Sequence, residues 1–120
     1  MWTYSQSTGE LARDGRVYGT GYSGLGADKN VAADEAAVGQ GPIPQGQWSI
    51  GTPRNDPHLG QVVMPLEPFN GTDTFGRSAF FIHGDSAAHP GQASHGCIVL
   101  SLPLREAIAF SYDAGLTVTA

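Results

Sequence analysis

Two short apolar runs, Phe80-Phe81-Ile82-His83 and Cys97-Ile98-Val99-Leu100, enclose a polar loop that extends from Gly84 to Gly96. Each run is rich in aromatic and β-branched residues and is bounded by glycine, which is typical of a short buried strand. The pattern therefore predicts a strand, a loop and a second strand. It puts His83 at the end of the first strand and Cys97 at the start of the second.

The N-terminal segment has the alternation and the turns of β structure. Residues 2–6 alternate large and small side chains, residues 7–10 supply turn chemistry, and Leu11 begins another extended piece. Asp14-Gly15 is a strong two-residue turn signal. We expect a hairpin followed by a strand over residues 17–23.

The middle of the chain alternates loops with extended segments. Residues 24–40 read as a long loop, with a short helical turn possible in the alanine-rich stretch 31–38. Residues 41–46 form a stiff proline-containing turn that leads into a strand at 47–50. The pattern up to Phe80 then predicts a loop, a strand and a loop, over 52–60, 61–66 and 67–76.

The C-terminal segment contains the one helix that the sequence predicts. Ser101 can cap a helix beginning near Pro103, and Gly115 is expected to end it. An apolar stripe follows helical spacing and consists of Leu104, Ala107 and Ile108. Residues 116–119 alternate again as a final strand. The predicted fold is mainly β, a sandwich or barrel-like sheet with one short C-terminal helix and long loops.

Composition limits the domain count and the classes of partner. The 120 residues, of which 17 are glycine and 8 proline, fit a single domain over 1–120. Six basic residues against eleven acidic ones give a net charge of −5, and the basic ones are isolated along the chain. A nucleic-acid partner is therefore not expected. We expect neither membrane insertion nor a Sec signal, because no apolar stretch approaches the ~20 residues of a membrane span.

Cys97 is the only cysteine. Three of the four histidines lie shortly before it, at positions 83, 89 and 95. A thiol becomes a good nucleophile when a neighbouring base takes its proton. His83 is the candidate base, with the Gly84 carbonyl or Asp85 holding its ring, while His95 can shape the pocket. Gly96 permits a tight turn, so that amides in Ser94-His95-Gly96-Cys97 could stabilise an oxyanion.

Two other interpretations of this cluster remain open. Cys97 could be a buried core thiol with the histidines as loop residues, since free cysteine is among the most buried residue types. A zinc site is the second alternative, drawing on His83, Asp85, His89, His95 and Cys97. No HExxH or CxxC pair is present, so the ligand pattern is unspecific.

The motif Phe81-Ile82-His83-Gly84, with Cys97 fourteen residues after the histidine in Ser94-His95-Gly96-Cys97-Ile98, resembles the L,D-transpeptidase (YkuD-like) active site. The segment 43–50, Ile-Pro-Gln-Gly-Gln-Trp-Ser-Ile, is similar to the turn and strand that precede it in that family. The type VI secretion branch is the most similar. Its shared motifs are Trp2-Thr3-Tyr4, Gln6-Ser7-Thr8-Gly9, Gly19-Thr20-Gly21-Tyr22-Ser23-Gly24, Lys29-Asn30 and Gly41-Pro42-Ile43-Pro44.

This resemblance implies a toxin domain that is delivered without a Sec signal, by type VI secretion, into the periplasm of a target cell. There it would act on peptidoglycan tetrapeptide stems, by L,D-carboxypeptidase or exchange chemistry, with no metal or cofactor. It also implies a cognate immunity protein. Val99 departs from the family pattern, which has a polar residue two positions after the cysteine, so acceptor-side details are not carried over.

Candidate substrate contacts are Tyr22, Ser23, Lys29 and Arg77. A lysine amine could meet a stem carboxylate, and a tyrosine could pack on the alkyl part of the stem. The alternative is that Tyr22 belongs to the core and Lys29 is a solvated loop residue. Trp2 and Trp48 are expected in the core.

Overall fold

Alternating apolar and polar side chains form ten short strands in the computed structural model, which describes residues 1–120. The strands are β1 Trp2–Ser5, β2 Glu10–Arg13, β3 Arg16–Thr20, β4 Tyr22–Ser23, β5 Gly46–Ile50, β6 Arg54–Asp56, β7 Gly60–Phe69, β8 Phe80–His83, β9 Ile98–Val99 and β10 Gly115–Thr119. One α-helix, α1, spans Leu102–Ser111. The long loop after β4 contains two 3₁₀ turns, Gly26–Asp28 and Ala32–Asp34.

The strands make one curled sheet in the order β3-β2-β1-β10-β5-β7-β8-β9-β4, with β6 added to β7. The two ends of this order, β3 and β4, are consecutive in the chain and separated by Gly21 alone. The sheet therefore bends round until its edges almost meet. This nearly closed, barrel-like sheet with one short helix confirms the predicted mainly β fold.

The core lies inside the curled sheet and under α1. Trp2, Tyr4 and Trp48 are fully buried there, and Ile82 and Ile98 join them from the strands around the histidine-cysteine loop. The two tryptophans are core residues, as expected. Removal of these large side chains from water supplies the main stabilisation of so small a domain.

Two predicted loops contain strand. Residues 54–56 form β6 inside the predicted loop 52–60, and β7 continues to Phe69 although we expected a loop from Glu67. The prolines of this segment suggested an early end. However, β7 still pairs with β5 across Pro68, opposite Trp48, so tertiary pairing overrides the local signal.

The ends of α1 also differ from the expectation. Ser101 occupies the N-cap position, but its side chain makes no capping hydrogen bond. The helix ends at Ser111 because Tyr112 adopts a left-handed conformation with φ of 54°. Gly115, which we expected to end the helix, is instead the first residue of β10. No helix has the length and apolar character needed to cross a membrane.

Gly21, at the closure of the sheet, offers the first test. A Cβ at this position would collide with the carbonyl oxygen of Val99. We expect Gly21→Ala to lower the free energy of unfolding by about 1–3 kcal/mol, because a backbone atom cannot move aside as a side chain can. Denaturant titration measures this change in the free energy of unfolding. Gly115→Ala is the control, since its nearest neighbour lies at an ordinary 3.4 Å, and equal losses in both variants would contradict the closure role.

Candidate active site

The site is built on the parallel pairing of β8 with β9, in which Ile82 lies opposite Ile98 and His83 opposite Val99. Because side chains alternate along a strand, the two isoleucines enter the core cluster, whereas His83 and Val99 lie on the opposite face, where both are still buried. Cys97 immediately precedes Ile98 and also lies outside the core cluster. Strand spacing and the rise of two residues put the Cα atoms of His83 and Cys97 roughly 8 Å apart.

His83 is held by its own neighbour. Its Nδ1 lies 2.7 Å from the carbonyl oxygen of Gly84, and the side chain is 3% exposed. Since a carbonyl only accepts hydrogen bonds, Nδ1 carries the hydrogen and Nε2 keeps its lone pair in the neutral ring. Burial lowers the pKa of His83 below its ordinary value, and the nearby Arg105 charge lowers it further. The imidazole is therefore neutral at pH 7 and able to accept a proton.

The Cys97 thiol is not bonded to His83. Its Sγ lies 3.7 Å from the carbonyl oxygen of Ala79, which accepts its hydrogen, and the residue is half-buried. Burial raises the pKa of the Cys97 thiol, while the Phe81 amide and the Arg77 charge act in the opposite direction. The resting site thus contains a neutral thiol and a neutral imidazole on one side of the sheet.

Asp85 organises the loop and does not hold the histidine. Its carboxylate accepts hydrogen bonds from the Tyr22 hydroxyl at 2.6 Å, from the Ser86 amide at 2.8 Å and from the Gly91 amide at 3.1 Å. Burial alone would raise the pKa of Asp85, but these donors lower it below its ordinary value. Of the two groups proposed to orient His83, only the Gly84 carbonyl does so.

Tyr22 and Lys29 brace the same loop from the opposite side. The Tyr22 hydroxyl also accepts a hydrogen bond from the Ala93 amide at 3.0 Å, and burial raises the pKa of Tyr22 to about 12. Lys29 Nζ lies 4.7 Å from the centre of the Tyr22 ring, in a cation–π position. Tyr22 is part-buried and Lys29 half-exposed, so both remain near the surface beside the site.

Ser94 holds the turn before the cysteine. It is fully buried, and its hydroxyl accepts hydrogen bonds from the amides of Gly24 at 2.9 Å and Gly96 at 3.1 Å. It donates to the Cys97 carbonyl at 2.6 Å. Gly96 has φ of +135°, a conformation that other residues rarely adopt. Because the Gly96 amide is engaged by Ser94, only the Cys97 amide of this pair is left for an oxyanion.

Ser23 lies beneath the turn, where a substrate does not reach it. Its side chain is fully buried and donates to the Gly96 carbonyl at 3.1 Å, while it accepts from the Ile43 amide at 2.8 Å. It therefore ties the cysteine turn to the proline-rich segment that precedes β5. This places Ser23 in the supporting structure, although we had considered it for the substrate groove.

Arg77 is also beneath the surface. The side chain is 7% exposed, and its guanidinium donates to the carbonyls of Gly41 and Pro42 at 2.8 Å and of His95 at 3.2 Å. It borders the Cys97 cavity, of about 310 Å³, from below. Its donors are occupied by backbone, in contrast to the substrate contact that we considered.

His95 is exposed at the rim of the Cys97 cavity. Its Nδ1 donates to the Gly39 carbonyl at 3.0 Å, so the ring bridges the cysteine turn and the long loop. His83 lines a separate opening of about 420 Å³ that includes Ala87 and Ala93 of the crossover loop. The thiol and the imidazole are thus reached from two neighbouring depressions.

The sequence model of the Tlde1 domain matches residues 18–115, a span that includes His83, Cys97 and the loop between them. This chain belongs to the Tlde1 domain family. The family comprises type VI secretion effectors that are L,D-transpeptidase-like. No curated protein matches the chain.

The Tlde1 domain does not assemble the ligand set of the zinc alternative. No group of three or more histidine, cysteine, aspartate or glutamate side chains comes together in the structure. His89 is exposed on the loop, and Asp85 is occupied by loop hydrogen bonds. The residues proposed as ligands are therefore spread over several surfaces.

Arg105 is the residue of this Tlde1 domain that sequence reasoning missed. It is 8% exposed, donates to the Leu100 carbonyl at 2.7 Å, and lies so close to Gly84 that a Cβ there would collide with it. The signal was available, because Arg105 is three residues before Ile108 and helical spacing puts both on the buried side of α1. Its charge acts on His83.

Ser94→Ala tests the support of the cysteine turn. The variant removes the hydroxyl oxygen that accepts hydrogen bonds from the buried amides of Gly24 and Gly96. We therefore expect the free energy of unfolding to fall by about 1–3 kcal/mol. Chemical denaturation measures the loss. Ser86→Ala is the control, because the Ser86 hydroxyl receives a single exposed bond from the His89 amide. A turn that is held mainly by other contacts would give similar small losses in both variants.

The resting protonation state of Cys97 is tested by its rate of alkylation with iodoacetamide between pH 6 and 10. Because burial raises the pKa of this thiol, we expect the rate to rise with pH and to reach half its maximum above the ordinary ~8.5. The same chain unfolded in urea is the reference. A fast plateau already present at pH 6 would instead indicate a preformed thiolate–imidazolium pair.

Proposed function

We propose that this Tlde1 domain is a cysteine acyltransferase that acts on the tetrapeptide stems of peptidoglycan, as an L,D-carboxypeptidase and a D-amino-acid-exchanging L,D-transpeptidase. The observation that carries the proposal is the placement of Cys97 and His83 on one face of the β8–β9 pair, with His83 Nε2 unoccupied. Family membership supports the same reaction class.

The first step is attack by Cys97 Sγ on the carbonyl carbon between the diamino-acid L-centre and the terminal D-alanine. The thiol swings from the Ala79 carbonyl toward the substrate, and His83 Nε2 accepts its proton as the carbon–sulfur bond forms. Such contacts commonly tighten only when substrate is bound. The neutral state of both groups makes this a concerted proton transfer.

The second step breaks the carbon–nitrogen bond. His83 returns its proton to the amine of the departing D-alanine, which leaves a thioester on Cys97. During both steps the amide of Cys97 is the donor available to the oxyanion, since the amide of Gly96 bonds to Ser94. Water then releases a tripeptide stem, or a free D-amino acid attacks the thioester and is exchanged into the stem.

The proposed reaction takes place in the target cell. We expect delivery without a Sec signal through type VI secretion and action in the periplasm of the target cell, where peptidoglycan is exposed. We also expect an immunity protein in the producing cell, because the same stems occur in its own wall. Val99 is 3% exposed opposite His83, so it offers no polar group to an acceptor stem.

The test is incubation of the purified protein with tetrapeptide muropeptides, analysed by mass spectrometry for loss of one alanine. We expect Cys97→Ala to abolish the product and His83→Gln to slow it by about 10²–10⁴-fold, the usual contribution of a general base. Added D-methionine should appear in the stem in place of the alanine.

His89→Gln is the matched control, because His89 is exposed and makes no side-chain hydrogen bond in the site. Since burial lowers the pKa of His83, activity should be retained below pH ~6.5 and fall only when the ring is protonated. Full product from a folded Cys97→Ala variant would refute the thiol mechanism. No product from any folded variant, together with binding to peptidoglycan, would indicate a non-catalytic module.

A further inference from the structure

Arg77 carries a positive charge that makes no ion pair. The ion pairs of the protein involve the N-terminal amine, Arg13, Asp14 and Asp113 only, and Arg77 is not among them. The residue is nevertheless only 7% exposed. Burying a charge without an ion-pair partner costs free energy of folding. The presence of such a charge in a small domain therefore calls for a structural or functional reason.

The contacts of the guanidinium join two separate segments. Its Nη1 donates to the carbonyls of Glu35 and Pro42, and its Nη2 donates to those of Gly41 and His95. A planar fork satisfies four such acceptors at once, which a lysine ammonium does with poorer geometry. Arg77 thereby fixes the cysteine turn against the long loop.

The same guanidinium lies against the turn that contains Cys97. A Cβ on Gly96 would collide with Arg77 Nη2, and Arg77 and Cys97 line the same cavity. The ring of Phe80 covers the other side, with its centre 5.2 Å from the guanidinium carbon. The titratable groups whose charge acts on Arg77 are Cys97 and Glu35, and His95 lines the same cavity.

Glu35 is already engaged elsewhere. One of its carboxylate oxygens accepts from the Gln45 amide at 2.8 Å, and the other accepts from Gln45 Nε2 at 3.2 Å. Its interaction with Arg77 is through its backbone carbonyl. This leaves the sulfur of Cys97 as the group beside Arg77 that gains a negative charge during the reaction.

We propose that Arg77 is a positioning residue for Cys97, which clamps the His95-Gly96-Cys97 turn to the Glu35–Pro42 loop and places its charge near the sulfur, stabilising the thiolate as the proton leaves. The inference rests on the proposed role of Cys97 as nucleophile. Consistent with it, the Arg77 charge lowers the pKa of the Cys97 thiol against the larger effect of burial.

A first experiment compares two alkylating agents on the unaltered protein. Iodoacetate is anionic and iodoacetamide neutral, so a cation beside the sulfur favours iodoacetate, whereas the net charge of −5 disfavours it. We expect the ratio of iodoacetate to iodoacetamide rates to be at least about threefold higher in the folded protein than in the urea-unfolded chain. A ratio no higher than in the unfolded chain would overturn the proposal.

A second experiment uses variants and the iodoacetamide rate between pH 7 and 10. Arg77→Gln should slow alkylation about tenfold at pH 8 and move the curve to higher pH, because a tenfold loss of thiolate equals one pH unit. Arg77→Lys keeps the charge and should hold the curve near its original pH. Arg16→Gln removes an exposed charge above Tyr18, far from the site, and should change nothing.

The outcomes distinguish the electrostatic role of Arg77 from its role in holding the turn by hydrogen bonds. A folded Arg77→Gln variant with the original pH curve, or equal shifts in Arg77→Gln and Arg77→Lys, would overturn the electrostatic role. Both experiments measure the thiol without peptidoglycan, so they give a result even if the muropeptide assay shows no product. Conversely, product formation that depends on Cys97 but not on Arg77 would preserve the proposed function and refute this inference.

Discussion

The parallel pairing of β8 with β9 is the constraint on which the site depends. Two consecutive parallel strands cannot be joined by a tight turn, so the chain must leave the sheet after His83 and return before Ile98. The pairing register puts His83 and Cys97 on the outer side, while the isoleucines anchor both strands in the core. The crossover that α/β proteins commonly build as a helix is here an irregular loop, part of which lines the opening at His83.

Such a loop has backbone groups without regular partners, and polar side chains provide those partners. Ser94 accepts from the Gly24 and Gly96 amides and donates to the Cys97 carbonyl. Ser23 donates to the Gly96 carbonyl, and Asp85 accepts from two amides of the loop. These bonds fix the backbone around Cys97, which is the nucleophile in the proposed reaction.

Two buried arginines give the site its electrostatic character. Burial is the main cause of the lowered pKa of the His83 imidazole, and Arg105, which reaches from α1 to Gly84, lowers it further. Arg77 borders the same cavity as Cys97, where burial raises the pKa of the thiol and the Arg77 charge lowers it. Burial favours the neutral form of both the thiol and the imidazole, so in the proposed reaction charges form only during proton transfer. A thiol in this state is less exposed to unwanted oxidation than a permanent thiolate.

Period-two alternation, glycine turns and motif spacing are local properties, and they are enough to predict the mainly β fold, the strands around His83 and Cys97, the core tryptophans and the family. They do not predict which candidate residues face the two cavities. Ser23 and Arg77 turned out to lie beneath the site, Asp85 to hold the loop, and Arg105 to join from the helix. Those roles depend on the β8–β9 register and on the packing of α1 and the long loop, which bring together residues distant in the chain, and only the tertiary structure decides them.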